Sequence, residues 1–118
     1  MAAGFRLTVR IGPRVERSSH PTLDAALDAL DERLAGERPA RRPVRLLARE
    51  IAPVRQVAAR GEIAGPGGVR GGIDLRGDGS REAWTGRWRR TVVTPGDGED
   101  PVAALGRALA QTGSSAAP

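Results

Sequence analysis

Phe5, Leu7, Val9 and Ile11 alternate with Arg6, Thr8 and Arg10. That period of two marks a strand with one buried face. Gly12-Pro13 ends it, and residues 14–20 are a candidate return strand in which a two-residue turn sets Val9 against Glu16. The period then lengthens. Leu23, Ala26, Leu27, Leu30 and Leu34 form one helical stripe between Thr22, a good N-cap, and Gly36, a good terminator. Asp24, Asp28, Asp31 and Glu32 share the opposite face of that helix. ERPARRPVR is proline-broken and reads as a loop. Residues 44–51 are open between two elements: Val44, Leu47, Ala48 and Ile51 fit a short helix, while the β-branched ends and the length fit a strand.

Residues 54–93 predict a three-stranded antiparallel meander. Asp78-Gly79 is a strong signal for a two-residue hairpin turn. It sets Leu75 against Glu82, Ile73 against Trp84, Gly71 against Gly86 and Val69 against Trp88. A three-residue loop within Gly65-Pro66-Gly67-Gly68 sets Ile63 against Val69, Gly61 against Gly71 and Ala59 against Ile73. In this register Gly61, Gly71 and Gly86 make one row on the inner face, flanked by Trp84 and Trp88. The row is either a groove filled by a helix or a floor for a small ligand. A last helix opens with Asp100 as N-cap and Pro101 in the first turn, buries Val102, Leu105 and Leu109, and ends at Gly113.

The expected fold is therefore α+β. An N-terminal strand or hairpin, a helix, the meander and a C-terminal helix form a single domain over 1–113, with both helices on one sheet face and a disordered tail over 114–118. The order helix, three strands, helix in residues 22–112 resembles that of the double-stranded RNA-binding domain. The resemblance is one of element order, and the last helix opens Glu99-Asp100-Pro101 where that family carries a lysine-rich start.

Composition narrows the chemistry. The absence of cysteine excludes disulfides, thiol catalysis and cysteine-bound zinc. All 19 basic residues are arginine, which with the Ala, Gly and Pro content suggests a GC-rich bacterial genome. The start shows no secretory signal and no span long enough for a membrane, so the expected compartment is the cytoplasm, with no membrane partner. Leu, Ile, Val and Phe number only 24 of 118 residues, a thin core that favours burial of some surface against a partner.

Charge is segregated by element: residues 21–37 carry −4 and residues 38–60 carry +6. Arg60, Arg70, Arg76, Arg81, Arg87 and Arg89 are the polyanion-binding candidates on the outer sheet face, and Arg38, Arg41, Arg42, Arg45 and Arg49 form a second basic cluster. Asp24, Asp28, Asp31 and Glu32 are the partner-docking candidates. Gly61, Gly71, Gly86, Trp84 and Trp88 are the groove candidates. The one histidine, His20, lacks companions for catalysis beyond nearby Asp24, and one helix face seldom supplies a full oxygen shell for a cation. The glycine-rich segments GPGG and GDGS join strands to strands, so they read as turns and not as phosphate cradles.

These features point to a non-catalytic module without metal or cofactor. Self-association or docking on a protein ranks first, through contact of the acidic helix face with the arginine face. Sequence-independent binding of a polyanion, such as duplex nucleic acid, is the alternative, and a small-ligand site over the glycine row is the third.

Overall fold

The computed structural model describes residues 4–36, 44–46, 49–51 and 57–115; of these, 44–46, 49–51 and 113–115 are described by backbone alone. The strands are β1 (Phe5–Ile11), β2 (Arg14–His20), β3 (Val44–Leu46), β4 (Arg49–Ile51), β5 (Val57–Ala64), β6 (Arg70–Arg76), β7 (Arg81–Thr85) and β8 (Thr91–Val93). The helices are α1 (Leu23–Ala35) and α2 (Pro101–Ser115). The fold is α+β. Its main sheet is antiparallel and six-stranded, in the order β2-β1-β5-β6-β7-β8, and β3 and β4 pair separately. Within the segment left open between helix and strand, 44–46 and 49–51 are strands, and the expected three-stranded meander is the centre of a wider sheet. No helix among the described residues is long and apolar enough to cross a membrane.

The N-terminal hairpin forms with Val9 opposite Glu16. Its first strand joins the sheet beside β5, where Leu7 meets Ile63 and Val9 meets Gly61. Glu16 lies on the helix side of an edge strand because Arg33 of α1 reaches it with two hydrogen bonds, at 2.8 and 2.7 Å. Thr22 caps α1 by accepting from the Ala25 N–H at 3.1 Å, and Asp100 caps α2 by accepting from the Ala103 N–H at 2.9 Å. α2 runs through Gly113 to Ser115, beyond its expected end. The remainder of the expected tail, 116–118, lies outside the described residues.

Both central turns differ from the expected ones. The loop after β5 has three residues, as expected, but it is Pro66-Gly67-Gly68, closed by the Gly65 N–H on the Val69 carbonyl at 2.9 Å. Ile63 therefore faces Gly71, and Gly61 faces Ile73. This is a slide of two residues, which keeps each side chain on its expected face. The loop after β6 has three residues, Gly77-Asp78-Gly79, in place of two. The Arg76 N–H reaches the Ser80 carbonyl at 2.8 Å, and the Gly79 N–H reaches the Arg76 carbonyl at 2.9 Å. Gly79 sits at φ 90°, the left-handed residue that a three-residue hairpin loop needs. The Asp78 carboxylate accepts from the Ser80 N–H at 2.9 Å and the Ser80 hydroxyl at 2.6 Å, which draws the extra residue into the turn.

That single extra residue turns β7 over. Leu75 faces Arg81, Ile73 faces Ala83 and Gly72 faces Trp84. Trp84 consequently leaves the helix face for the opposite one. The core between sheet and helices is built from aliphatic side chains, with Leu30, Leu34, Ile63, Ile73, Leu105 and Leu109 fully buried.

Candidate functional site

The glycine row does not form. Gly61 and Gly71 lie on the helix face of neighbouring strands but in different rows. The helices fill the space above each. A Cβ at Gly61 would collide with the Leu30 side chain of α1, and one at Gly71 would stand 3.0 Å from both Leu105 and Leu109 of α2. Gly86 is outside the sheet, at φ 116°. Trp84 is buried on the other face and Trp88 is 92 % exposed, so neither lines a groove under the helices.

The acidic face of α1 is partly neutralised within the chain. Arg81, expected on the outer face, points to the helices and donates to Asp31 at 2.7 Å. Asp24, Asp28 and Glu32 are exposed. Asp24, Asp28 and Asp31 line a shallow depression with Asp100 at the start of α2. Among the described residues no group of acids or histidine is arranged to hold a metal ion. His20 lies 2.8 Å from the Ser18 hydroxyl through its Nε2.

The face of the sheet turned away from the helices carries the denser chemistry. Strand alternation places Arg17 of β2, Arg6, Thr8 and Arg10 of β1, Arg60 and Glu62 of β5, Arg70, Gly72, Asp74 and Arg76 of β6, and Glu82 and Trp84 of β7 on it. Its centre is a buried carboxylate, Asp74, only 5 % exposed. Arg60 donates to both its oxygens, at 2.8 and 3.2 Å, and the Trp84 indole N–H donates to one of them at 3.1 Å. A buried charge persists where its lone pairs are satisfied this way. Donating to the Asp74 carboxylate raises the pKa of Arg60 above its ordinary value. Trp84 lies across Gly72, where a Cβ would press on the ring and on the Gly61 carbonyl. The Arg90 guanidinium covers the ring at 4.1 Å from its centroid.

Around this centre each acid of the face has an arginine. Arg70 binds Glu62 at 3.0 Å, with Arg90 on its other oxygen at 3.6 Å, and Arg76 binds Glu82 at 2.7 Å. Of the six polyanion-binding candidates, Arg60, Arg70, Arg76 and Arg81 are thus engaged by carboxylates, and Arg87 and Arg89 are exposed without an ion pair among the described residues. The expected row of Glu62, Arg70 and Arg87 breaks up because β7 ends at Thr85 and residues 86–90 form a loop. The side chains of Arg38, Arg41, Arg42, Arg45 and Arg49 lie outside the described residues.

Sequence reasoning missed the other surplus of charge. Arg6, Arg10 and Arg17 are exposed on the β1-β2 hairpin, and none has an ion pair among the described residues. Arg17 stands opposite Thr8, diagonal to Arg6 and Arg10. No acid occupies this side of either strand. The signal was readable: Arg6 and Arg10 alternate with the buried Leu7 and Val9, and the Val9–Glu16 register fixes Arg17 beside them.

Compared with family models, with curated proteins and with solved structures, the chain matches none.

Proposed function

We propose that the protein is a non-catalytic module that binds the phosphate backbone of nucleic acid, independently of sequence, through the sheet face opposite its helices and the adjoining 86–90 loop. One observation carries this reading: Arg6, Arg10, Arg17, Arg87 and Arg89 are exposed cations without carboxylate partners among the described residues, and the described acids of the sheet face, Asp74, Glu62 and Glu82, are taken by other arginines. Phosphate contacts of this kind need unneutralised cations in a shared plane, not shape or base-edge readout. The net charge of +5 acts in the same direction at longer range.

Docking on a protein, the first expectation from sequence, loses one of its four acidic candidates, because Arg81 engages Asp31 inside the chain, while Asp24, Asp28 and Glu32 stay exposed. A second feature also fits docking: β7 extends past β8, whose ladder covers only Ala83, Trp84 and Thr85, and the uncovered end borders a hollow lined by Arg81, Glu82 and Pro95.

Fluorescence anisotropy of a labelled oligonucleotide tests the polyanion reading. Affinity should fall by orders of magnitude between about 50 and 200 mM salt. Absence of binding at the lower salt would overturn it.

A further inference from the structure

The 86–90 loop holds a second feature that charge alone does not explain. Trp88 is 92 % exposed, in a chain whose other tryptophan is buried. The loop that carries it is held at both ends. The Gly86 N–H donates to the Arg70 carbonyl at 2.9 Å. The φ of 116° at Gly86 turns the chain so tightly that a Cβ there would strike the Arg89 carbonyl. At the far end Arg90 is stacked on Trp84 and reaches Glu62. The indole is thus presented by an anchored turn, which lowers the ordering cost of a contact made through it.

The surroundings identify the contact. Arg87 and Arg89 flank the ring in sequence, and the Arg87 guanidinium is 5.7 Å from its centroid. Among the described residues the other exposed large apolar side chains, Val15, Val57 and Val92, stand on three separate strands and form no contiguous dry patch of the kind that surrounds a tryptophan anchor in a protein interface. An aromatic ring with an arginine on either side in sequence, neither in an ion pair among the described residues, matches a base flanked by its two phosphates. Duplexes keep base faces stacked inside, whereas single strands expose them. The row Ser19, Arg6, Ala64, Arg70 runs across β2, β1, β5 and β6 and ends at the hydrogen bond to Gly86, so the loop and the hairpin arginines lie about 15–20 Å apart along one level of the sheet.

We infer that Trp88 is a stacking platform for an unpaired base, and that the nucleic acid bound by this face is single-stranded. This rests on the polyanion reading above.

Three labelled probes of equal length separate the two: oligothymidylate, an abasic deoxyribose-phosphate strand, and a blunt duplex. Oligothymidylate should bind more tightly than the other two and quench the exposed tryptophan. Trp88→Ala should lose about 5- to 150-fold in oligothymidylate affinity, the range that alanine substitution of a stacking aromatic gives, and leave the abasic strand unaffected. Trp88→Phe should keep most of the preference. The buried Trp84 and far-ultraviolet circular dichroism report that each variant is folded. Equal affinity for oligothymidylate and the abasic strand, or an oligothymidylate preference that survives Trp88→Ala, overturns the stacking inference while leaving backbone binding intact. Failure of all three probes overturns both. A blue shift of Trp88 emission on phosphatidylglycerol vesicles, without oligonucleotide binding, overturns both in favour of a membrane surface.

Discussion

Replacing the two tryptophans one at a time should have opposite consequences. Trp84 is 3 % exposed, lies across Gly72, donates to Asp74 and is covered by Arg90. Truncating a buried tryptophan to alanine costs about 3–5 kcal/mol through lost transfer energy and the cavity left behind. Asp74 keeps its two bonds to Arg60, so losing the indole donor does not orphan the carboxylate and adds little. Trp84→Ala should therefore cost about 4 kcal/mol. With an unfolding entropy near 2.1 cal/mol/K per residue, that is a fall of about 15 °C in Tm for a chain of this size. Trp88→Ala removes a side chain that touches almost nothing, and should stay within about 0.5 kcal/mol of the wild type, or about 2 °C. Thermal unfolding followed by circular dichroism reads both. Equal destabilisation by the two variants would refute the placement of Trp84 over Gly72 and of Trp88 in the loop, and would restore the register in which both sit under the helices.

The glycines of the sheet should differ according to what they face. Gly61→Ala meets the flexible end of Leu30 and should cost about 1–2 kcal/mol, whereas Gly72→Ala meets the Gly61 carbonyl and the Trp84 ring and should cost more, about 3 kcal/mol; urea denaturation would contradict this by showing the reverse order. Asp100→Ala removes the cap on the Ala103 N–H and should cost about 1 kcal/mol, with Asp100→Ser recovering most of it in the same assay. Hydrogen bonding by Arg33, Ser80 and Arg107 holds the Glu16, Asp78 and Glu99 carboxyls below their ordinary values. Such groups ionise more readily in the folded chain, so they stabilise it above the unfolded values of 4.5, 3.8 and 4.5, and the gain disappears as pH falls through the lowered folded values. Tm should hold from neutrality to about pH 4.5 and decline below it, and Glu16→Gln should shrink the acid-side decline; a decline that Glu16→Gln leaves unchanged would count against the Arg33 pair.

Much of the architecture is carried by local pattern. The alternation of residues 5–11 and the Gly12-Pro13 turn dictate the first hairpin, down to Val9 opposite Glu16. Both helices follow from their stripes and from Thr22 and Asp100. The meander was legible in its strands but not in its pairing, because the tip admits two turns. Asp78-Gly79 alone is a two-residue signal, yet Gly77 and Ser80 permit the three-residue loop, and the Asp78 carboxylate on Ser80 selects it. A shift of one residue there exchanges the faces of β7, so the two-residue turn places Trp84 under the helices, in a core it does not join. The same shift hides the candidate site, since Trp84 and Arg90 form an aromatic and cationic cover on a face that otherwise reads as purely charged. Arg81 illustrates the other difficulty. Its partner, Asp31, is 50 residues away, and such long-range pairing is invisible to periodicity. Arginines counted as a binding surface from composition are therefore mostly internal counterions, and the free ones become evident only when each carboxylate has been matched.

The central claim is that Arg6, Arg10 and Arg17 of the β1-β2 hairpin contact phosphates, and salt dependence measures it most directly. The slope of log affinity against log salt for oligothymidylate should flatten by about 2 when Arg6, Arg10 and Arg17 are replaced together by alanine, roughly 0.7 for each lost phosphate contact on a single strand. Arg107→Ala, on α2 at the opposite face and paired with Glu99, should leave the slope where it is. A slope unchanged by the triple replacement, or changed as much per charge by Arg107→Ala, would contradict the account.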